Sequence, residues 1–450
     1  MFSELIRAGR RREHRRYAYH AYSRMPVTFV RRIVVGRDPY WQRYFWSRWG
    51  WVPADVRAAV AGRPVIWIDA LSGGEATQLV TFCRLLREAL PAHALLLVTN
   101  NKYSYDFAQR MLAVDAVLDS PWDCRAPARR ALAAVAPAAL VAVVNLTAPV
   151  LFAEARRRGI PTLVVSGLMS KEIHRHPIMS RPMEWEPVAG VDWIGAKSEE
   201  DARGYIERGA PPARVSVTGN MKFDLEYLAV PPAARAELRA DLGLGPEERI
   251  VLAASIHPGE DAFVGEAFLA ARARLPGLRL VAVPRYQTDA APMAATFERL
   301  GLSVVRRTSR TRPGADDVLL VDTFGELGRL YSLSAATFIG GSTYRRNVIG
   351  FGQNIVEPLV QGAPIFFGKF MNGWREITDE LIKEWPGLEV ATAADLGVGL
   401  VATLTEPALE ARLRERAAAM VEAHRTDVAR NVAVVARALG ARGQRPGDNG

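Results

Sequence analysis

The sequence predicts an α/β protein made of two Rossmann-like, doubly wound domains in tandem, with an inter-domain cleft. Three observations carry this expectation. The chain has 450 residues, too many for one ordinary core and enough for two domains of roughly 200 residues each. From about residue 64 onward, short apolar runs alternate with segments of helical periodicity. That is the β-α-β-α order of a parallel sheet covered by helices. The alternation pauses once, at 229–239, where Pro231 and Pro232 stand in a stretch without strand pattern.

In the first half the expected strands are 64–70, 94–100, 116–120, 139–146, 162–167, 193–198 and 214–219. Gly, Pro, Asn or Asp bounds most of them, as strand ends often require. Between the first two, Leu79, Val80, Cys83, Leu86 and Leu90 recur at helical spacing, so 76–90 is an expected helix. The pause reads as a connection between domains running into a short helix. Strands are then expected at 249–255, 278–285, 302–308, 318–323, 336–342, 364–368 and 388–392. Residues 406–439 read as one long helix or two. The polar, Gly-rich stretch 440–450 reads as a disordered tail. The expected organisation is thus a basic, aromatic N-terminal segment 1–60, a first domain 61–228, a second domain 240–425 and the tail. Ligands of doubly wound sheets bind beyond the carboxyl ends of the strands, which makes the cleft the expected place of reaction.

Composition narrows the class. Hydrophobic residues make up 49% and charged residues 24% of the chain, as in a folded soluble body. Cys83 and Cys124 lie far apart with no C-x-x-C pair, which suits a reducing cytoplasm better than a disulfide framework. A net charge of +10 attracts nucleic acid, anionic lipid or phosphorylated substrates. The position of the charge favours lipid. Arg7, Arg10, Arg11, Arg12, Arg15 and Arg16 precede Arg24, Arg31 and Arg32, and Tyr17, Tyr19, Tyr22, Phe29, Tyr40, Trp41, Tyr44, Phe45, Trp46, Trp49 and Trp51 interleave with or follow them. Basic charge with interfacial aromatics suits an anionic headgroup layer. The simpler alternative is a solvated basic arm leading into a helix with a buried aromatic face. There is no run of 18 apolar residues and no apolar h-region at the start, so the expectation is peripheral contact. The basic residues follow no nucleic-acid-binding pattern, and nucleic acid is not an expected partner.

Four polar segments follow expected strands in the second half: Ser255-Ile256-His257-Pro258-Gly259-Glu260; Val283-Pro284-Arg285; Asp322-Thr323-Phe324-Gly325-Glu326-Leu327; and Gly340-Gly341-Ser342 running on to Asn354-Ile355-Val356-Glu357-Pro358. A Gly-Gly-Ser turn exposes backbone N–H groups that can hold a phosphate. Arg285 can grip a phosphate with two donors. Glu326 and Glu357 can accept the hydroxyls of a ribose. Taken singly, each glycine could simply mark a turn and each acid cap a helix. In the first half, Trp67-Ile68-Asp69-Ala70-Leu71-Ser72-Gly73-Gly74-Glu75 reads as a strand, a glycine turn and a helix start. A carboxylate at Glu75 can take a proton from an attacking hydroxyl or can merely answer the helix dipole. His174 and His176 have no third ligand at a recognisable spacing, and no Asp-x-Asp pair occurs, so no metal is expected.

These segments together resemble the Kdo (3-deoxy-D-manno-octulosonic acid) transferases, a family of GT-B glycosyltransferases. The family's Ser-x-His-Pro-Gly-Glu, Pro-Arg, Asp-x-x-Gly-Glu-Leu and Gly-Gly-Ser…Asn-x-x-Glu-Pro runs occur here in the same order, and Lys197–Ala202 and Val217–Asp224 extend the similarity upstream, over roughly residues 60–400. The resemblance implies that Pro284, Arg285, Gly325, Glu326, Leu327, Asn354, Ile355, Val356 and Glu357 hold the CMP of the donor CMP-Kdo. It implies that Glu75 is the catalytic base and that Lys222, in Thr-Gly-Asn-x-Lys, lies near the leaving phosphate, where a cation stabilises developing charge. A helix start lowers a carboxylate pKa, so a basic Glu75 requires desolvation. The implied activity is inverting transfer of Kdo to a lipid A precursor in lipopolysaccharide biosynthesis, with a lipid-anchored sugar acceptor, at the cytoplasmic face of the inner membrane.

The first half departs from the family. Its Glu-rich stretch before a Trp-Pro pair, one acid of which supports the transition state, reads here Val143-Val144-Asn145-Leu146-Thr147-Ala148-Pro149. The Thr/Gly-rich turn after the third strand reads Thr99-Asn100-Asn101-Lys102-Tyr103-Ser104, and the Asn-x-Arg-x-Ser segment Ser166-Gly167-Leu168-Met169-Ser170-Lys171; in the second half, the Gly-Gly-His-Asn tetrad reads Phe351-Gly352-Gln353-Asn354. These changes keep two alternatives open: a related transferase with another nucleotide sugar or acceptor, in capsule or glycolipid assembly, and a catalytically impaired homologue that binds the donor alone.

Overall fold

In the computed structural model the described residues are 39–169, 188–223, 230–314, 316–323, 325–344 and 352–443. His174, His176 and most of the basic N-terminal arm lie outside them. The described residues up to Phe223, together with those from His424, form one compact unit, and those from Val230 to Ala423 form a second.

The first domain is a seven-stranded parallel sheet: β1 (Val65–Asp69), β2 (Ala94–Thr99), β3 (Ala116–Asp119), β4 (Ala139–Val143), β5 (Thr162–Gly167), β6 (Trp193–Ala196) and β7 (Val215–Val217), ordered β3-β2-β1-β4-β5-β6-β7. Every residue of β1, β2, β4 and β5 is buried. Helices cover both faces of such a sheet, so its strands are continuous apolar runs rather than alternating ones. The second domain has six parallel strands: β8 (Arg249–Ile256), β9 (Leu278–Pro284), β10 (Val304–Arg306), β11 (Val318–Leu320), β12 (Ser334–Ile339) and β13 (Ile365–Phe367), ordered β10-β11-β9-β8-β12-β13. Strand order reverses between β1 and β4 and between β8 and β12. Those two points, at the carboxyl ends, are where doubly wound sheets open a crevice.

The structure corrects the expected elements in three places and, for residues 406–439, shows the second of the two alternatives, a pair of helices. Residues 388–392 are not a strand. The chain makes a 3-10 turn at Pro386–Leu388 and meets the sheet edge only through a bridge between Phe367 and Glu389. Thr392 then caps the helix Ala393–Thr405 in a capping box with Asp395, which ends the extended stretch. The expected helix 76–90 is two helices, Gly73–Thr77 and Val80–Ala89. The terminal helical region breaks into Pro407–Ala423 and Asp427–Gly443. The last of these enters the expected disordered tail as far as Gly443, and it packs in the first domain against the helix Val80–Ala89, β5 and β6.

At the second switch point Gly340 passes so close to β8 that a Cβ would lie 2.3 Å from the Ser255 carbonyl oxygen and 2.6 Å from the Ile256 Cα, both backbone atoms. Gly340→Ala is expected to destabilise the protein by about 1–3 kcal/mol, the usual cost of overpacking. Urea denaturation checks this, and an unchanged midpoint would contradict the close approach.

Candidate active site

Beyond β1 the chain reaches Ser72, which caps the short helix Gly73–Thr77. The Ser72 Oγ accepts from the Glu75 N–H at 3.2 Å, and the Glu75 Oε2 accepts from the Ser72 N–H at 2.9 Å. Glu75 is therefore a capping residue, and it is only 8% exposed. Burial pushes its pKa above the ordinary glutamate value, against the pull of the Ser72 and Leu71 N–H groups and the charge of Lys222. Desolvation thus outweighs the helix start. Lys222 stands on the 3-10 turn Met221–Phe223, beyond β7, and acts on Glu75 electrostatically. The first domain therefore brings its two sequence-predicted site residues together.

Between them in the sheet lies the segment that departs from the family. Val144, directly after β4, has a φ of 66°, a left-handed conformation that a β-branched residue adopts only under strain. The next residue, Asn145, has a buried Oδ1 without a hydrogen-bond partner. The segment 146–151 is fixed instead from the neighbouring loop. The Asp123 carboxylate accepts from the N–H groups of Val150 and Leu151, each at 3.0 Å, at the start of the helix Pro149–Arg157.

In the second domain the Gly-Gly-Ser turn does not offer its N–H groups to a phosphate, contrary to the sequence expectation. Glu260, fully buried, takes them. Its Oε2 accepts from Gly341 N–H at 2.7 Å and His257 N–H at 3.0 Å. Its Oε1 accepts from Ser342 N–H at 3.0 Å, Thr343 N–H at 3.2 Å and the Thr343 hydroxyl at 2.9 Å. The protein's own carboxylate fills the anion nest and ties β8 to β12 at the switch point. Burial raises the Glu260 pKa, and these N–H donors draw it back. In sequence, only the spacing of Glu260 three residues after His257 hinted at a cap. Its main partners lie more than eighty residues away.

The predicted donor residues line the carboxyl edge of the same sheet. Pro284 ends β9, and Arg285 is exposed, its N–H donating to the Ile256 carbonyl at 2.8 Å and its guanidinium 5.2 Å from the Tyr286 ring centre. Gly325 has a φ of 86° and is exposed, a conformation that glycine adopts without strain. Glu326 accepts from the Thr323 hydroxyl and pairs with Arg307 at 3.4 Å, and Leu327 opens the short helix Leu327–Leu330. The Asn354 Nδ2 donates to the Glu357 Oε1 at 2.9 Å, which orients that carboxylate. Ile355 and Val356 are fully buried and present no surface to a ligand, and the Val356 N–H is taken by the Asn354 Oδ1 at 3.0 Å. Among the described residues no group of three or more His, Cys, Asp or Glu could hold a metal ion.

Residues 43–225 match the family model described as 3-deoxy-D-manno-octulosonic-acid transferase (kdotransferase). The chain is 29% identical to the 3-deoxy-D-manno-octulosonic acid transferase of Bordetella pertussis over 399 residues, 85% of this chain and 89% of that protein. It is 27% identical to the enzyme of the same name from Haemophilus influenzae, over 73% of this chain and 76% of that one. For the Aquifex aeolicus enzyme the identity is 26%, over 76% and 85%. The chain is a homologue of the Kdo transferases. Among solved structures, Anabaena HepE in complex with UDP aligns with a TM-score of 0.58 at 15% identity, over 84% of this chain and all of that one. A putative UDP-N-acetylglucosamine 2-epimerase from Listeria monocytogenes aligns at 0.57 and 12%, over 81% and 96%. At such identities the alignments show the GT-B-type fold, two Rossmann-like domains.

In this Kdo-transferase homologue the Glu260 clamp should matter to stability. Glu260→Ala leaves buried N–H groups without acceptors and is expected to cost about 3 kcal/mol or more, with Glu260→Gln losing less because one accepting oxygen remains. Urea denaturation of the two variants beside the parent protein checks the order, and an alanine variant as stable as the parent would refute the clamp.

Proposed function

We propose that this glycosyltransferase moves Kdo from CMP-Kdo to a hydroxyl of a lipid-anchored acceptor, a lipid A precursor. The observation that carries the reading is the pairing of a desolvated Glu75 with Lys222 beyond β1 and β7, in a chain homologous to Kdo transferases over most of its length. In the proposed reaction the acceptor oxygen attacks the anomeric carbon of Kdo and Glu75 takes the hydroxyl proton. The bond from that carbon to the phosphate oxygen breaks with inversion, and its electron pair leaves with CMP. Lys222 and Arg285 offset the charge on the departing phosphate. Glu357, held by Asn354, and Glu326 accept the ribose hydroxyls, the latter by exchanging its internal partners Thr323 and Arg307 for ligand. Other acceptors remain an outcome of the assay.

Glu75→Gln keeps the cap oxygen but cannot accept the proton. It is expected to lower kcat about 100-fold or more, as loss of a general base does, while CMP binding is retained. Because the folded pKa lies above the ordinary glutamate value, kcat/KM of the parent enzyme should fall as pH drops through a limb above about 4.5. Transfer assays with CMP-Kdo and lipid A precursor, run beside a panel of other nucleotide sugars, decide the donor and the acceptor. Full turnover by Glu75→Gln would remove the mechanism.

We further propose that the enzyme works at an anionic membrane surface, on its cytoplasmic face. Within the helix Pro39–Arg48, Tyr40 and Tyr44 are buried, whereas Trp46, Trp49 and Trp51 are 56%, 48% and 54% exposed. Arg130 sits among them, donating to the Trp49 carbonyl at 2.6 Å with its guanidinium 4.6 Å from the Trp51 ring centre. Exposed indoles around a cation suit the headgroup layer, and the arginines of the arm precede them in sequence. No described helix is long and apolar enough to cross a membrane. Replacing the three tryptophans by serine is expected to weaken sedimentation with phosphatidylglycerol vesicles about tenfold or more without changing turnover on a detergent-dispersed acceptor. Equal sedimentation would refute the assignment.

A further inference from the structure

The turn that carries Lys222 is built by the last helix of the chain. Asp427 and Asn431, one helical turn apart and both fully buried, face Ser166 near the end of β5 and the residues that follow β7. The Asp427 Oδ2 accepts from the Asn220 N–H at 2.6 Å and bonds the His424 Nδ1 at 2.6 Å, and its Oδ1 pairs with Arg430. The Asn431 Oδ1 accepts from the Ser166 N–H and from the Thr218 hydroxyl, each at 2.8 Å, and its Nδ2 donates to the Thr218 carbonyl at 3.3 Å. The Asn220 Oδ1 in turn accepts from the Lys222 N–H at 3.2 Å, and the Ser166 hydroxyl accepts from the Met221 N–H at 3.3 Å. Gly219, with a φ of 87°, admits the carboxylate. A Cβ there would lie 2.1 Å from it. Phe223 stacks on His424 with ring centres 3.9 Å apart and planes within 9°. Every residue from Thr218 to Phe223 is thus bonded or packed against the last helix, His424 three residues before its start, or a residue which that helix holds.

We propose that Asp427, acting through Asn220, is a positioning residue that sets Lys222 against Glu75. The assignment rests on the proposed roles of Glu75 and Lys222. It explains a feature that no sheet or core requires, namely a buried charged group on a helix face that packs on the strand ends. A buried carboxylate carries a large desolvation penalty unless its bonds return it. Here His424 and Arg430 supply two of those bonds, and the Asn220 N–H, on the turn that brings a lysine to the base, supplies the third. The groups acting on Glu75 are the N–H groups of Ser72 and Leu71 and the charge of Lys222. Those acting on Asp427 are His424 and Arg430 as well as the Asn220 N–H.

The test compares Asp427→Asn, Asn220→Ala and Lys222→Met, and the double variant Asp427→Asn/Lys222→Met, with Glu75→Gln as control, in the full-length protein with CMP-Kdo as donor. Asn220→Ala guards against misfolding of the first variant, because it removes a single bond, that of the Lys222 N–H to the Asn220 Oδ1, and leaves the Asn220 N–H on Asp427. The expected result is a fall in kcat of about 100-fold, the order that a misplaced catalytic group produces. The acidic limb of kcat/KM should move to higher pH in both positioning variants, because a displaced Lys222 no longer draws the Glu75 proton off. Lys222→Met should move the limb in the same direction, and the double variant no further. Folded positioning variants with the parent limb, or with a shift that adds to that of Lys222→Met, overturn the proposal. If Glu75→Gln keeps full turnover, the base assignment itself fails, a result distinct from either.

Discussion

A parallel sheet leaves backbone N–H groups without partners in the loops beyond its strands, and in this protein buried carboxylates take them. Glu260 does so for four N–H groups at the β8/β12 switch point. Asp123 serves Val150 and Leu151, Asp201 serves Met169 at 2.5 Å, and Asp427 serves Asn220. Apart from the His257 N–H, three residues before Glu260, each N–H lies in a different loop or helix from its acceptor, so these bonds fix one loop relative to another. An unpaired buried N–H costs about 1–3 kcal/mol, so these loops have one low-energy arrangement. That rigidity is what a site on strand ends needs, since its geometry must be kept to about half an ångström.

Glu75 belongs to the same pattern and departs from it. Like the other carboxylates it accepts from backbone N–H, yet it does so in a capping box and serves only its own turn, and burial raises its proton affinity. The cap restrains one oxygen while desolvation makes the group a stronger base. Lys222 moderates the effect. Without the nearby cation, burial would raise the proton affinity of Glu75 further. With too close a pair it would be a weak base. The distance between the two therefore sets the working pH range, and that distance is governed by the turn after β7 rather than by the sheet.

Most of the fold was legible because strands buried on both faces are continuous apolar runs, and Ile66, Trp67, Leu96, Val141 and Val164 show no exposed surface. Residues 388–392 were misread because a short apolar run bounded by glycine looks the same whether it pairs along a strand or touches an edge once. The Gly-Gly-Ser turn was misread for a deeper reason. Local sequence shows that a turn can bind an anion but not whether the chain supplies that anion itself, and Glu260 does so from across the switch point. Asp427 and Asn431 were invisible in the same way, as ordinary polar residues of a terminal helix whose partners lie about 200 residues or more earlier.

The two domains have departed unequally from the family pattern, and the structure gives a physical reason. In the second domain the family segments hold one another: Glu260 binds the Gly-Gly-Ser turn, and Asn354 orients Glu357. Changing one leaves a buried group unpaired in another, so the set is constrained as a set. The loop after β4 is held differently. Asp123 fixes its downstream helix from outside, while Val144 and Asn145 make no such mutual bonds and even carry strain and an unpartnered oxygen. The Asn145 Oδ1 has no bond to lose, so that side chain can be exchanged without breaking one, whereas Val144 is buried in the core. The turn bearing Lys222 keeps its place through either change because the last helix, not the loop after β4, holds it.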